Sequence, residues 1–398
     1  MAQRDFILLY IEKYLPNQKI VVADFVDSNE FTEFSSIVGF DYDWIGRPTM
    51  IEFSNYSQKK VSEGTIYKAS TKVLQTLIKR LVENENSFII GFTIRLTPDD
   101  QTIFGTSKSF SEKEKIERFI GGGFHTIDYE ANNININNIN KIVVRNVGQG
   151  SSNELWNNDS CAILFDCGTL YSTSRTDLLN LVADREEHYK TSKPLCVISH
   201  WDVDHYHFLL AFSDETIKSF SHIIYRDVVP TLTARKAIGR FNIVNESALL
   251  PLAVQDPPQG KKSGKELHEI NLSRNNFIFL YNGTRNRSRN KSGIGLVFYK
   301  TKKCVIFSAD FEYEQISKSI LDKINYSCEH FLVVPHHGGK AGKFVYDYCR
   351  RNKLKDAIIS VGKNPYKHPL KDNIENLKNI GFNVIQTLRT QTDYVKEL

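Results

Sequence analysis

The first third of the chain mixes helical and strand-like patterns of apolar side chains. In residues 2–15 the apolar positions gather on one side of a helix, which Pro16 would end. A second helix is predicted over about residues 65–84, where leucine and isoleucine recur at helical spacing. Residues 87–96 are rich in β-branched and aromatic side chains, which favour a strand. These patterns predict a small α+β domain.

From Lys141 onward the pattern changes to short apolar runs, separated by polar or glycine-containing turns. Such runs are typical of buried strands. The nine runs are KIVVRNV, CAILFDCG, LCVISHW, HIIYRDV, IGLVFY, CVIFSAD, FLVVPHHGG, AIISVG and FNVIQT. Helices are predicted between them near residues 175–190 and 371–380. The alternation predicts an α/β or sheet-sandwich domain that carries its functional residues at strand ends.

A stretch rich in Asn and Ile, residues 132–140, separates the two patterns. We read it as an exposed connector or an edge strand and place a domain boundary near it. The chain is then predicted to contain an N-terminal domain over residues 1–135 and a larger domain over residues 141–398. Both sizes are usual for single domains.

Composition narrows the function classes only slightly. The net charge of +5 permits an anionic partner without demanding one. The chain has no apolar run long enough to span a bilayer and does not start like a signal peptide, so we expect a cytoplasmic protein without a membrane segment. The six cysteines form no C-x-x-C pair, which excludes zinc-finger spacing.

The densest group of polar residues is the segment HWDVDH, which directly follows an apolar strand. It contains His200, Asp202, Asp204 and His205. These side chains must be solvated, paired or bound to metal, because burying an unpaired charge is costly. Imidazole and carboxylate together suit zinc, manganese or iron. The alternative interpretation is a solvated polar loop.

Two further strand ends carry residues that can bind metal. Asp310 ends the run CVIFSAD, where it could either ligate a metal or cap a helix starting near Phe311. His336 and His337 follow the run FLVVP and precede two glycines, which allow a sharp turn and leave the imidazoles open to a ligand. The three motifs together favour a metal site over scattered surface histidines.

These motifs, in this order, resemble the metallo-β-lactamase superfamily, and most of all its domain in DNA-uptake competence proteins. The segments VGQG, ILFDCG and SVGKNPYKHP also resemble segments of that domain. The resemblance covers the chain from about residue 141 to its end. It implies a metallo-β-lactamase fold, an αββα sandwich, preceded here by the smaller α+β domain. Proteins of this kind are often parts of larger bacterial systems.

The resemblance also implies a hydrolytic centre with two divalent ions, Mn²⁺ or Zn²⁺, and a bridging water or hydroxide. The assignment that follows from it is His200, Asp202 and Asp310 for one ion, and Asp204, His205, Asp310 and either His336 or His337 for the other. Asp204 would in addition orient the nucleophile. His368 would donate a proton to the leaving group or contact the substrate oxyanion, the alternative being a turn residue before Pro369.

The chain departs from the resemblance at one ligand. The superfamily has a further metal-binding histidine between the first motif and the strand-end aspartate. The candidates here are His222, at the start of an apolar strand, and His268, in a polar helix-like stretch. Neither has a convincing context, so one of the two ions would have fewer ligands than expected.

A basic segment, TRNRSRNK, precedes the strand that leads to Asp310. It contains Arg285, Arg287, Arg289 and Lys291. On a loop near the site these side chains would contact successive phosphates, although a solvated surface is the alternative interpretation. With the resemblance, the segment predicts a nuclease or phosphodiesterase that acts on DNA or another nucleic acid.

Two other hypotheses stay open. The first is a hydrolase of a small molecule on the same fold. The second is a latent or non-catalytic subunit with a structural metal, which docks to a partner protein through residues 1–135. A fold by itself does not decide among these functions, because function depends on the site.

Overall fold

The computed structural model describes residues 4–38, 49–57, 60–83, 93–96, 103–108, 139–254, 266–272, 277–286, 288–324, 327–346 and 353–398. The chain divides into two compact units. The first consists of Met1–Gly123, Tyr171–Asn180 and Val228–Arg240, and the second of Phe124–Leu170, Leu181–Asp227 and Phe241–Leu398.

Within Met1–Gly123, the described residues of the first unit form a six-stranded sheet and two helices, α1 (Ser28–Val38) and α2 (Thr71–Glu83). The strands are β1 (Phe6–Leu15), β2 (Ile20–Phe25), β3 (Met50–Phe53), β4 (Ile66–Ser70), β5 (Thr93–Leu96) and β6 (Phe104–Lys108). Their order is β5-β3-β2-β1-β4-β6, antiparallel except where β3 pairs with β5. The predicted α+β class of the N-terminal region is therefore confirmed, whereas its predicted bounds, residues 1–135, stay a prediction.

Two predictions within this unit were wrong. The helix expected over residues 2–15 was wrong, because Phe6–Leu15 form β1, which lies in the middle of the sheet between β2 and β4. Both faces of β1 are covered, and its run of buried residues lacks the alternation by which a half-exposed strand is recognised. The helix expected over residues 65–84 begins only at Thr71, because the preceding residues pair with β1 as β4. Of the strand expected over 87–96, the part before β5 lies outside the described residues.

The second unit contains two seven-stranded sheets. The first sheet comprises β7 (Ile139–Val144), β8 (Ser152–Asn157), β9 (Ser160–Cys167), β10 (Leu195–Val197), β11 (His222–Arg226), β12 (Leu249–Leu252) and β20 (Tyr394–Glu397). The second sheet comprises β13 (Leu267–Asn271), β14 (Ile278–Gly283), β15 (Ile294–Lys300), β16 (Lys303–Phe307), β17 (Glu329–Val333), β18 (Leu354–Ile359) and β19 (Asn383–Gln386). Their orders are β12-β11-β10-β9-β8-β7-β20 and β13-β14-β15-β16-β17-β18-β19.

Seven further helices are described after residue 139. They are α3 (Arg175–Ser192), α4 (Val203–Tyr206), α5 (Asp214–Ser219), α6 (Leu232–Asn245), α7 (Tyr313–Ser319), α8 (Lys371–Ile380) and α9 (Thr387–Thr390). Short 3-10 turns lie at His207–Leu210, Glu246–Ala248, Asn290–Ser292, Leu321–Lys323 and Pro335–Gly338. No helix in the described ranges is both long enough and apolar enough to cross a membrane.

The two sheets of the second unit pack face to face. Their shared core includes Phe165 of β9 and Phe307 of β16, whose rings stack with centroids 5.4 Å apart. On the outer face of the second sheet, α7 contributes Ile316 and α8 contributes Leu377 to a separate apolar cluster. On the outer face of the first sheet, Tyr189 of α3 hydrogen-bonds to a buried glutamate of β8. The layers are those of an αββα sandwich, so the predicted fold is confirmed.

The sandwich places several strand ends at one edge. The strands β9, β10 and β11 run parallel to one another in one sheet, and β16, β17, β18 and β19 do so in the other. Parallel strands bring their carboxyl ends to the same edge, where loops are exposed over a rigid scaffold. His200, Asp310 and His337 each come from a loop that follows one of these strands.

Candidate metal centre

The segment HWDVDH is buried although it is polar. His200, Asp202, Asp204 and His205 are each at most 5% exposed. The loop after β10 carries the first two, and the single turn of α4 carries the other two. A Cβ on Gly168 would collide with the backbone of Asp204, so this approach needs a glycine. The solvated-loop interpretation does not fit this burial.

Side chains from two other strand ends meet this segment. Nε2 of His205 lies 3.3 Å from Oδ1 of Asp310, and Nε2 of His200 lies 3.6 Å from Oδ2 of the same carboxylate. Nε2 of His337 lies 3.5 Å from Oδ2 of Asp204. Ligand atoms on one tetrahedral zinc ion are about 3.3–3.6 Å apart, given its bond lengths. The separations are therefore those of a metal centre.

Two sets of residues have ligand atoms that all lie within 4.8 Å of one another. One set is His200, His205 and Asp310, and the other is Asp204, His205 and His337. Both sets are buried, and each can hold a divalent ion.

Several of the ligand atoms lack hydrogen bonds. Among the described residues, Nε2 of His200, His205 and His337 and Oδ1 of Asp310 are buried and make none. A buried polar atom without a partner costs about 1–3 kcal/mol, so four in one place call for an explanation. A bound cation is a direct one, because all four atoms have lone pairs to share once the imidazoles are neutral. The residues present therefore fit a metal ion.

The far sides of two of these imidazoles, those of His205 and His337, are each held by a second contact. Nδ1 of His205 lies 2.8 Å from Oδ2 of Asp166, and Nδ1 of His337 donates to the carbonyl oxygen of Ser360 at 2.9 Å. Asp166 also accepts from the backbone N–H of Ser199 at 2.7 Å. A proton held on Nδ1 leaves the lone pair of Nε2 directed into the centre, as in many metal sites.

The pKa values follow burial and the neighbouring charges. Burial lowers the pKa of His200 to about 4 and also lowers the pKa of His337, so both are neutral ligands at pH 7. Burial disfavours the charged form of His205 as well, but Asp310 and Asp166 raise its pKa well above the usual range. Burial likewise opposes ionisation of Asp310, yet His336 and His205 hold its pKa well below the usual range. A cation that binds His205 must therefore displace a proton.

The turn after β17 separates its two histidines. His336 and His337 have φ angles of 53° and 52°, a left-handed conformation that is uncommon outside glycine. His337 faces Asp204, whereas Nδ1 of His336 lies 2.6 Å from Oδ2 of Asp310. His368 lies beside His336, with ring centroids 5.2 Å apart. His337 is thus within the ligand sets, while His336 and His368 flank them.

The side chains of the basic segment TRNRSRNK do not all face solvent as a phosphate-binding loop would require. Nε of Arg289 lies 3.0 Å from Oδ1 of Asp202, so this side chain turns into the centre. Lys291 pairs with Glu312 at 2.9 Å, and Arg285 is exposed. Arg287 lies outside the described residues.

Several residues that contact the candidate ligands were not predicted from the sequence. Nδ2 of Asn290 lies 3.3 Å from Oδ2 of Asp310 and 3.0 Å from Nδ1 of His336. A single asparagine in a basic segment carries no pattern, so no sequence signal points to it. Single serines at strand ends likewise carry no pattern, so Ser199 and Ser360 were not predicted as contacts either.

Three sequence alternatives can now be judged by position. Glu312, not Asp310, caps α7, in a capping box with Gln315. His222 pairs with Leu195, at the opposite end of β10 from His200. His268 lies on the edge strand β13, so the helix-like interpretation of its surroundings was wrong. Glu269 and Asn271 of that strand are exposed at the edge of the sheet, so the segment is polar enough in sequence to resemble a surface helix. Neither histidine is in a ligand set.

Comparison with known proteins gives matches among solved structures only. No family model matches the chain, and no curated protein matches it. Among solved structures, the chain is similar to the metallo-beta-lactamase fold protein YhfI from Bacillus subtilis, with 16% identity and a TM-score of 0.35 over 65% of this chain and 99% of that one. It is also similar to a variant of the CmlA beta-hydroxylase, with 11% identity and a TM-score of 0.36 over 65% of this chain and 54% of that one. The fold assignment rests on the two packed sheets and their outer helices, which form the predicted αββα sandwich.

Proposed function

We propose that the second unit is a metal-dependent hydrolase that cleaves phosphodiester bonds in nucleic acid. The observation that carries the hydrolase part is the set of buried nitrogen and oxygen atoms without hydrogen bonds at one edge of the sandwich. Two imidazoles with carboxylates suit Zn²⁺ or Mn²⁺. When bound, such an ion supplies Lewis-acid activation of water and stabilises charge on a phosphoryl oxygen.

The residues of the chain would divide the remaining tasks. Asp204, His205 and His337 would hold the ion, and Asp204 would also orient the attacking water through a carboxylate oxygen. Asp166 keeps the proton of His205 on Nδ1. His368, next to His336, would donate a proton from a ring nitrogen to the leaving oxygen.

The charge of the surrounding loops supports an anionic polymer as the substrate. Residues 284–293, 339–346 and 360–370 lie on loops close in sequence to the candidate site residues and contain no Asp or Glu. Exposed basic side chains on these loops are Arg285, Lys340, Lys343, Lys363 and Lys367. Lysine and arginine that neutralise phosphates supply most of the affinity of proteins for nucleic acid. Partner binding by residues 1–135 and a cytoplasmic location stay predictions.

A cleavage assay tests the proposal. Purified protein would be incubated with labelled single-stranded DNA, double-stranded DNA or RNA, in the presence of Mn²⁺, Zn²⁺ or a chelator. We expect metal-dependent cleavage that falls at least 100-fold in Asp204→Asn, because a neutral amide is a poor ligand and a poor acceptor for water. The matched control is Asp159→Asn, since Asp159 is exposed in the turn between β8 and β9.

Two outcomes would contradict the proposal. Cleavage that persists in Asp204→Asn would remove this centre from the reaction. Absence of cleavage of every polymer, with the ion bound, would reject the nucleic-acid substrate and favour a small-molecule hydrolase on the same fold.

A further inference from the structure

We infer that the guanidinium of Arg289 takes the place of a second metal ion, so that the centre holds a single divalent ion. The inference rests on the metal centre proposed above, but not on the nature of the substrate. It differs from the two-ion arrangement that the sequence resemblance implies.

The first step concerns His205, which belongs to both ligand sets. A neutral imidazole has one available lone pair, and Nδ1 of His205 is already engaged by Asp166. Nε2 of His205 can therefore bind one ion. If it binds the ion held by Asp204 and His337, the other position retains only His200, Asp310 and the neighbouring Asp202.

The second step concerns Asp202, whose carboxylate is shared with an arginine. Oδ1 of Asp202 lies 3.8 Å from Nε2 of His200 and 3.0 Å from Nε of Arg289. An ion bound by His200 and by Oδ1 of Asp202 would thus share that oxygen with a guanidinium. Arginine stays protonated at any ordinary pH, so its positive charge is permanent and would repel a divalent ion.

The third step is that Arg289 is fixed in this orientation. Its Nη1 donates to the carbonyl oxygen of Trp201 at 3.0 Å, and its side chain is only 15% exposed. The base of its loop is closed by a hydrogen bond of 2.9 Å from the N–H of Gly283 to the carbonyl oxygen of Gly293. The buried Arg226 donates to the side chain of Asn282 and to the same carbonyl of Gly293.

The neighbouring side chains of the loop add to this fixation. Asn290 reaches Asp310, and the side chain of Gln315 donates to the carbonyl oxygen of Lys291 at 3.0 Å. Arg289 is therefore part of the built centre and not a surface side chain that has folded back. Its guanidinium would stabilise negative charge on a phosphate, which arginine recognises well, but it cannot activate water as an ion does.

Metal stoichiometry tests the inference. The full chain would be stripped with a chelator and equilibrated by dialysis against defined free Mn²⁺, and bound manganese would be measured by elemental analysis and electron paramagnetic resonance. Wild type should bind about one ion per chain and give the spectrum of an isolated Mn²⁺. Arg289→Met, which removes the charge at similar length, should bind about two ions and show spin coupling between them. Arg289→Lys, which keeps the charge, should bind about one.

The outcomes separate this inference from the proposed function. Two ions in wild type would overturn the inference and leave the metal centre standing. No ion in wild type would overturn both. One ion in a folded Arg289→Met, checked by circular dichroism, would show that Arg289 does not exclude the second ion. If that variant fails to fold, the number of ions bound by wild type still tests whether the centre holds a single ion.

Discussion

Replacing Asp166 by asparagine should weaken metal binding by about 10- to 100-fold, although Asp166 is not itself a proposed ligand. Its carboxylate contacts three groups that support the centre. Oδ1 accepts from the N–H of Ser199 at 2.7 Å, and Oδ2 lies 2.9 Å from Oγ of Ser199 and 2.8 Å from Nδ1 of His205. The φ angle of 58° at Asp166 is one that asparagine also tolerates, so the backbone should not change.

The size of the expected loss of metal affinity depends on the tautomer of His205. Asparagine can still accept from the backbone of Ser199, but its amide nitrogen then faces Nδ1 of His205. Nδ1 would become the acceptor, and the proton would move to Nε2, the atom that should bind the ion. To bind the ion, His205 would have to return the proton to Nδ1, which would leave two donors facing each other. The expected 10- to 100-fold loss of metal affinity corresponds to a cost of about 1.4–2.8 kcal/mol for this arrangement.

The same substitution should flatten the dependence of metal affinity on pH. In wild type Asp310 and Asp166 together overcome the effect of burial and raise the pKa of His205, so the ion competes with a proton, and affinity should rise as the pH increases. Asp166→Asn removes one of the two charges that raise this pKa, so proton competition should weaken. The loss of affinity should therefore be clearest at high pH, where competition is weakest in both proteins.

Isothermal titration calorimetry with Zn²⁺ or Mn²⁺ at several pH values measures both effects. Asp159→Asn serves as the control, because it makes the same change of charge at an exposed turn. An affinity at high pH that equals that of wild type would refute the reasoning, since it would show that Asp166 does not orient His205.

Two further predictions concern pH and salt. Burial lowers the pKa of His330 on β17 to about 4. As the pH falls, His330 is therefore protonated in the unfolded chain before it is protonated in the folded chain. The free energy of unfolding keeps its full contribution from neutral His330 above about pH 6.5 and loses it as the pH falls towards 4. Wild type should lose about 2 kcal/mol more than His330→Gln between pH 7.5 and pH 5, measured by denaturant unfolding, and equal losses would contradict this. Neutralising Arg285 and Lys340 should weaken nucleic-acid binding and reduce its logarithmic salt slope by about 1 for each lost phosphate contact; an unchanged slope in binding titrations would exclude both residues from the interface.

Nine of the fourteen strands described in the second unit could be predicted because their signal is local. Each of the nine apolar runs after Lys141 contains a strand, and helices lie at both predicted places. Strands buried between a sheet and a helix layer need continuous apolar runs, and turns must interrupt them. The same rule explains the error at β1, since a central strand that is buried on both faces loses the alternation that separates strand from helix.

Part of the metal centre could be predicted because its residues stand at strand ends. His200, Asp310 and His337 follow β10, β16 and β17, and the parallel order of strands within each sheet brings these ends together. The contacts behind them could not be predicted. Asp166 reaches His205 only because β9 and β10 are neighbours, a pairing that no local pattern specifies.

The position of Arg289 could not be predicted from local sequence patterns. In the sequence it is equivalent to Arg285, since both stand in the same alternating basic segment. The difference arises from the register of β14 and β15, in which Asn282 pairs with Ile294 and leaves residues 283–293 as a closed loop. Arg226, from the other sheet, fastens the base of that loop, and Arg289 then meets Asp202 while Arg285 stays exposed. A count of charges along the chain assigns both arginines to the substrate, whereas the pairing of two strands assigns one of them to the centre.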